Sequence, residues 1–142
     1  MRVTFAVPLV VFAAVVGCTR TNAALLDNSV KLAPSCADGV KIYSTPSAVE
    51  GEYKEVALLN STANTGLTSE AGMLKSMRKK AAAVGANGII MGGINEPSAG
   101  AKIAGAVVGT GAERKGKSVA IFVVSDTARV RSFCANALNG QD

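Results

Sequence analysis

An α+β fold, a small mixed sheet of about four strands with one main amphipathic helix packed on it, is predicted by three features of the sequence. Residues 67–84 place Leu67, Met73, Leu74, Met77, Ala81 and Val84 at three- and four-residue steps, which is one helix face, while Lys75, Arg78 and Lys79 point outward. Gly85-Ala86-Asn87-Gly88 stops that helix, and Ile89-Ile90-Met91 follows as a strand. Val119-Ala120-Ile121-Phe122-Val123-Val124 is the strongest strand signal in the chain and is expected at the centre of the sheet.

The chain opens with residues 1–17, in which Arg2 is the one charge and residues 5–16 are uncharged. That run is too short to span a bilayer and suits the apolar region of a cleaved signal. Its end, Val15-Val16-Gly17-Cys18, resembles a bacterial lipobox, where a small residue precedes a cysteine that is lipidated and becomes the first mature residue. The plain alternative is a secretory signal with an incidental cysteine. Acylation at Cys18 implies stable attachment to a membrane without a transmembrane helix. The sorting rule that accompanies the lipobox retains Asp after the cysteine in the inner membrane. In a Gram-negative source Thr19 therefore implies the outer membrane, facing the periplasm. Residues 18–35 show no sustained period and are expected to be the lipidated cysteine and a tether.

The folded domain is expected at residues 36–135. Val40-Lys41-Ile42-Tyr43 alternates apolar with polar between Asp38-Gly39 and Ser44-Thr45-Pro46, which reads as a short strand ended by Pro46. After a turn at 47–52, residues 53–59 make a second strand with Tyr53, Glu55 and Ala57 on one side and Lys54, Val56 and Leu58 on the other. A polar loop at 61–66 leads to Thr68, which can cap the helix; Glu70 suits its positive end, and Gly85 can take the left-handed conformation that ends it. Strand, helix and strand in that order predict a crossover joining parallel strands.

Residues 97–112 are small-sided and apolar. Gly105 and Gly109, four apart, would let a short helix approach another helix or a membrane closely. The expectation is instead a mobile hairpin loop whose glycines serve turns, since the run is much too short to span a bilayer. On either reading Gly105, Val107, Val108 and Gly109 are the candidate contact residues. Glu113-Arg114-Lys115-Gly116-Lys117 is expected to be a charged turn into the strand at 119–124. Residues 128–133 add an edge strand or a short helix, and residues 136–142 are expected to be a loose tail.

With Cys18 taken by lipid, Cys36 and Cys134 remain as an even pair in an oxidising compartment, so a disulfide that closes nearly the whole domain into a loop is expected. The bland alternative is two separated thiols. Two distant cysteines without histidine do not make a zinc site, so no metal is expected, and no cofactor. The absence of histidine also removes Ser/His and Cys/His nucleophilic pairs and an imidazole base. Asp38, Glu50, Glu52 and Glu55 cluster in sequence with nothing pairing them across a cleft. Residues 100–111 lack both the Lys-Ser/Thr ending of a phosphate loop and dinucleotide-binding glycine spacing. An enzyme is not expected. The net charge is +5, of which Arg2 supplies one, and the basic residues are spread without interleaved aromatics. That pattern argues against nucleic acid and for solvated faces, with contact to anionic lipid head groups as a second possibility.

Val40-Lys41-Ile42-Tyr43, then Val49-Glu50-Gly51-Glu52-Tyr53, then Met77-Arg78-Lys79-Lys80 and Gly85-Ala86-Asn87-Gly88-Ile89-Ile90 together resemble the small RcsF/YbjQ-like domains. Gly88 stands where those domains usually have Ala. The resemblance implies an α+β sandwich with a helix on a sheet and, on its RcsF side, an outer-membrane lipoprotein that signals envelope stress through protein partners. The sequence thus leads to an outer-membrane-anchored periplasmic lipoprotein with a non-catalytic protein-contact domain. A stress sensor acting on a signalling partner, and a small-ligand or metal-binding lipoprotein, are the alternatives.

Overall fold

The computed structural model describes residues 19–29, 31–108 and 111–139. The expected signal at 1–17, Cys18, Gly109 and the last residues of the tail, 140–142, lie outside them. Among the described residues the fold is α+β: a five-stranded mixed sheet, one face of which is covered by a helix, with two further helices at opposite ends.

The strands are β1 (Arg20–Leu25), β2 (Lys41–Tyr43), β3 (Tyr53–Asn64), β4 (Gly88–Asn95) and β5 (Glu113–Val123). Their order across the sheet is β1-β3-β5-β4-β2, which puts β5 at the centre as its Val/Ile content predicts. β5 is antiparallel to both β3 and β4, so those two run in the same direction, as the crossover reading requires, but with β5 inserted between them. β2 pairs parallel with β4, and β1 pairs antiparallel with β3.

Helix α1 (Glu70–Ala83) lies on the sheet. Met73, Met77, Ala81 and Ala82 are buried against Ala57, Leu59, Ala63, Ile89 and Ala120, with Leu74 and Val84 packed at the margin. Small residues dominate the sheet side of this contact, so the helix sits close; the thioethers of Met73 and Met77 rest on the backbone of Gly116. The cap is Ser69 rather than Thr68, its side chain accepting a hydrogen bond from the Gly72 amide at 3.1 Å. Leu67 therefore lies before the helix and is 64% exposed instead of joining its apolar face. Gly85 does end the helix, with φ of +79°.

Further expectations change. The tether expected at 18–35 holds a strand: β1 runs along the edge of β3 from Arg20↔Thr62 to Leu25↔Ala57. Thr21 and Ala23 turn toward α1, and the Thr21 hydroxyl bonds to Ser61 Oγ at 2.9 Å and Ser76 Oγ at 2.7 Å, which fixes the strand between sheet and helix. Alanines and a single threonine carry too little hydrophobic contrast to show this alternation in sequence. The polar loop at 61–66 begins as strand, because β3 continues to Asn64 by pairing with Glu113 to Gly116, and the charged turn at 113–117 is likewise strand. Residues expected to be a mobile loop form helix α2 (Ala99–Val108). Residues 136–139 of the tail expected to be loose are helical, α3 running over Thr127–Asn139, which also settles residues 128–133 as helix. A β-bulge at Glu55/Ala57 buries both Val56 and Ala57, so the simple alternation expected for 53–59 shifts face there.

Candidate functional site

The strand register divides the molecule into two ends. Arg20 of β1, Asn64 of β3, Asn95 of β4 and Glu113 of β5 stand together at one end. Leu25, Tyr53, Gly88 and Val123, together with the start of β2 at Lys41, stand at the other.

The second of these ends carries the disulfide. Cys36 and Cys134 are bonded, with Cα atoms 5.5 Å apart and a sequence separation of 98. The bond ties α3 to the 3-10 turn at Ala37–Gly39, and Gly39 lets it do so: a Cβ there would lie 3.1 Å from Val130, 3.4 Å from the Cys36 sulfur and 3.5 Å from the Cys134 sulfur. Arg129 adds a second attachment by donating to the Gly39 carbonyl at 2.9 Å while its guanidinium grips Asp126 through both carboxylate oxygens. That grip holds the Asp126 carboxyl below the usual carboxylate range and raises Arg129 above its ordinary value, in each case chiefly through their mutual hydrogen bond. Nearby Tyr43 is raised, first by burial and then by the Asp126 charge. Between sheet and turn, buried Asn87 donates to the Val123 carbonyl at 2.8 Å and accepts from the Val123 amide at 2.7 Å, closing the end of β5 as a neighbouring strand would.

At the first end α2 stands out from the fold. Ser98 accepts from the Ala101 amide at 3.3 Å at its start. Every described side chain of the helix is exposed, with Ile103 at 67%, Val107 at 83% and Val108 at 72%. Its stem is polar: Glu96 is bridged by Arg114 and by Lys102, the latter at 3.5 Å, and Arg114 also donates to the Thr68 carbonyl at 3.1 Å. Arg114, the stronger of the two partners, holds the Glu96 carboxyl below its ordinary value. A crevice of about 590 Å³ under the helix is lined by Leu67, Lys102, Ala106 and Arg114. Leu67 also borders a depression lined by Thr19, Lys75 and Lys79. Of the expected contact residues, the structure therefore places Gly105, Val107 and Val108 on one exposed helix, whereas Gly109 is outside the described residues.

A third surface was not foreseen in the sequence. The sheet face away from α1 is only partly covered, by Tyr43, Val49 and Tyr53 packing on Ile90, Ile121 and Val123. Toward the α2 end it is open, and cross-strand register sets Asn22, Asn60 and Lys117 in one row and Ala24, Leu58 and Val119 in the next. Leu58 remains 44% exposed there. The alternating polar residues at 60, 62, 115 and 117 are the signal that would have revealed it, had residues 60–64 and 113–117 been read as strand.

Among the described residues no group of three or more His, Cys, Asp or Glu side chains is placed to hold a metal ion. Nor is any described helix long and apolar enough to cross a membrane. A crevice of about 440 Å³ between the 27–32 segment and the sheet is lined by Leu32, Val56, Phe122 and Val124, with Asp27, Lys54 and Glu55 also bordering it.

These features define a small α+β domain with a helix-covered sheet, a disulfide at one end and an apolar helix at the other. No family model matches the chain, and no curated protein sequence matches it. The fold is similar to that of a Francisella virulence factor, FvfA, seen in an orthorhombic crystal form, with a TM-score of 0.50 and 18% identity over 72% of this chain and 96% of that one. At that identity the likeness shows the fold alone.

Proposed function

We propose that the chain is an outer-membrane-anchored periplasmic lipoprotein whose domain acts by protein contact and not by catalysis. The observation that carries the reading is the Cys36–Cys134 bond: a structural disulfide belongs to an oxidising compartment, where a leader ending in Val15-Val16-Gly17-Cys18 would deliver the chain. The strand β1 begins two residues after Cys18, so an acyl group there holds the domain directly at the membrane. The open sheet face offers the contact surface, with Leu58 as its apolar centre among Asn22, Asn60 and Lys117.

The test is palmitate labelling and membrane fractionation of the wild type and Cys18→Ala, combined with photo-crosslinking from position 60 in living cells. Labelled protein in the outer membrane, with an envelope protein captured reproducibly from position 60 and lost in Cys18→Ala, is the expected result. Unlabelled protein refutes the anchor, and capture of nothing from position 60 refutes the contact face.

A second reading rests on the Met77-Arg78-Lys79-Lys80 helix and the Gly85 to Ile90 turn, which resemble RcsF/YbjQ-like domains. On it, the contact domain is an envelope-stress sensor acting on a signalling partner. Deletion of the gene would then abolish a transcriptional response to envelope damage that Cys18→Ala also alters.

A further inference from the structure

We infer that α2 is a second membrane contact: it seats in the head-group layer of the bilayer beside the acylated N-terminus and fixes how the domain stands on the membrane. The inference rests on the lipoprotein reading above and adds a surface to it.

Three observations converge on a lipid surface as the occupant. The first is position. β1 enters the sheet at Arg20, at the same end from which the β4–β5 connection carries α2. Thr19 and Leu67 border one depression, and Leu67 and Ala106 of α2 border the next crevice, so the residue following Cys18 is two short steps from the helix. Two residues of extended chain reach at most about 7 Å, so an acyl group on Cys18 brings this end of the domain to the head groups. The second is the helix itself. It spans ten residues, Ala-Gly-Ala-Lys-Ile-Ala-Gly-Ala-Val-Val, and is about 15 Å long, too short to cross a bilayer but suited to lying in its surface. It carries neither an aromatic residue nor an arginine, the side chains that anchor protein interfaces, and apart from Lys102 its exposed side chains are aliphatic. The third is charge. Lys102 and Arg114 are engaged by Glu96, while Arg20, Lys75, Lys79 and Lys115 flank this end exposed, against Glu70 and Glu113. That excess of cations complements anionic head groups, whereas the disulfide end faces away.

The chain has no tryptophan, so Ile103→Trp installs a single reporter on an exposed position. The full mature chain, acylated and reconstituted into phosphatidylethanolamine/phosphatidylglycerol vesicles, should show a blue-shifted indole emission that brominated lipid quenches. Adding Val107→Asp and Val108→Asp should abolish the shift while leaving the N-terminal peptide acylated by mass. In the unacylated Cys18→Ala chain, binding to the same vesicles should be weak, salt-sensitive and reduced at least about tenfold by the two aspartates. Circular dichroism and an unchanged melting temperature of the aspartate variant verify that the fold is intact. Solvent-like, unquenched emission in the acylated chain overturns the inference and leaves the anchor standing. If mass shows Cys18 unacylated, the anchor reading falls, and failure of the unacylated chain to bind at high lipid concentration then overturns the seating of α2 on its own. Crosslinking of α2 to a second copy or to another protein in place of lipid quenching also overturns it.

Discussion

Removal of the Cys36–Cys134 bond is the perturbation whose size follows most directly from the structure. The bond joins residues 98 apart, so in the unfolded chain it constrains nearly the whole domain. For a loop of that length the chain-entropy relation gives about 4.7 kcal/mol. A domain of this size has a total stability of roughly 5–15 kcal/mol, so the bond supplies a large share. Its other attachments to the fold are few: Val130 is buried, and Arg129 holds the Gly39 carbonyl. Two outcomes are therefore separable. If α3 stays docked through Val130 and Arg129 without the bond, Cys36→Ser/Cys134→Ser loses about 3–5 kcal/mol in a single cooperative urea transition whose slope rises, because the unfolded chain is released from its loop. At roughly 2 cal/mol/K of unfolding entropy per residue, that lowers the melting temperature by about 12–20 °C. The background is Cys18→Ala in both arms, so that lipid does not enter the measurement. A loss under about 1 kcal/mol would refute the reasoning, since it would mean that the bond holds α3 alone and that the sheet and α1 fold without reference to it.

Gly85→Ala should destabilise the domain by about 2–4 kcal/mol in thermal melts, since the left-handed backbone disfavours any side chain and the added Cβ would sit 2.3 Å from that of Leu32. Asn87→Ala should cost about 2–4 kcal/mol by chemical denaturation, because it leaves the Val123 amide and carbonyl unpaired in the core. The folded Asp126 carboxyl is held below its ordinary value, so its pairing with Arg129 contributes stability that is fully present above the unfolded carboxylate range, near pH 4, and is lost as pH falls through the lower folded value. Hydrogen-exchange protection in α3, taken relative to the intrinsic rate at each pH, should accordingly fall as the pH drops below about 4 in the wild type, and Asp126→Asn should flatten that dependence.

How much of this was legible in the sequence depended on hydrophobic contrast. α1 and β5 are written in Met, Val, Ile and charged residues, and both were readable with their roles, as were the turn at Gly85 and the pairing of Cys36 with Cys134. β1 is written as Arg-Thr-Asn-Ala-Ala-Leu and owes its place to pairing with β3 and to the Thr21 hydroxyl bonds, which are tertiary and leave no period to detect. The extensions of β3 and β5 are polar because one of their faces meets solvent, and composition alone made them look like loops. α2 was passed over for a different reason. Its glycines argue for turns in a window, yet its alanines, Ser98 at its start and the Glu96–Arg114 stem hold a helix that buries none of its described side chains.

The correction at β1 changes the functional geometry more than it changes the fold. A tether over residues 18–35 would let a domain anchored at Cys18 roam up to about 60 Å from the bilayer in any orientation. With β1 starting at Arg20 that freedom is gone, and under the proposed anchor the sheet end bearing α2 would be held against the lipid. The twelve residues of β3 then carry the fold about 40 Å outward, placing α3 and the disulfide at the far end and the open sheet face between. On that proposal a partner approaching from the periplasm would meet the sheet face or the disulfide end and not α2. Substitutions at Leu58 and at Ile103 should for that reason separate, the first acting on protein capture and the second on membrane seating.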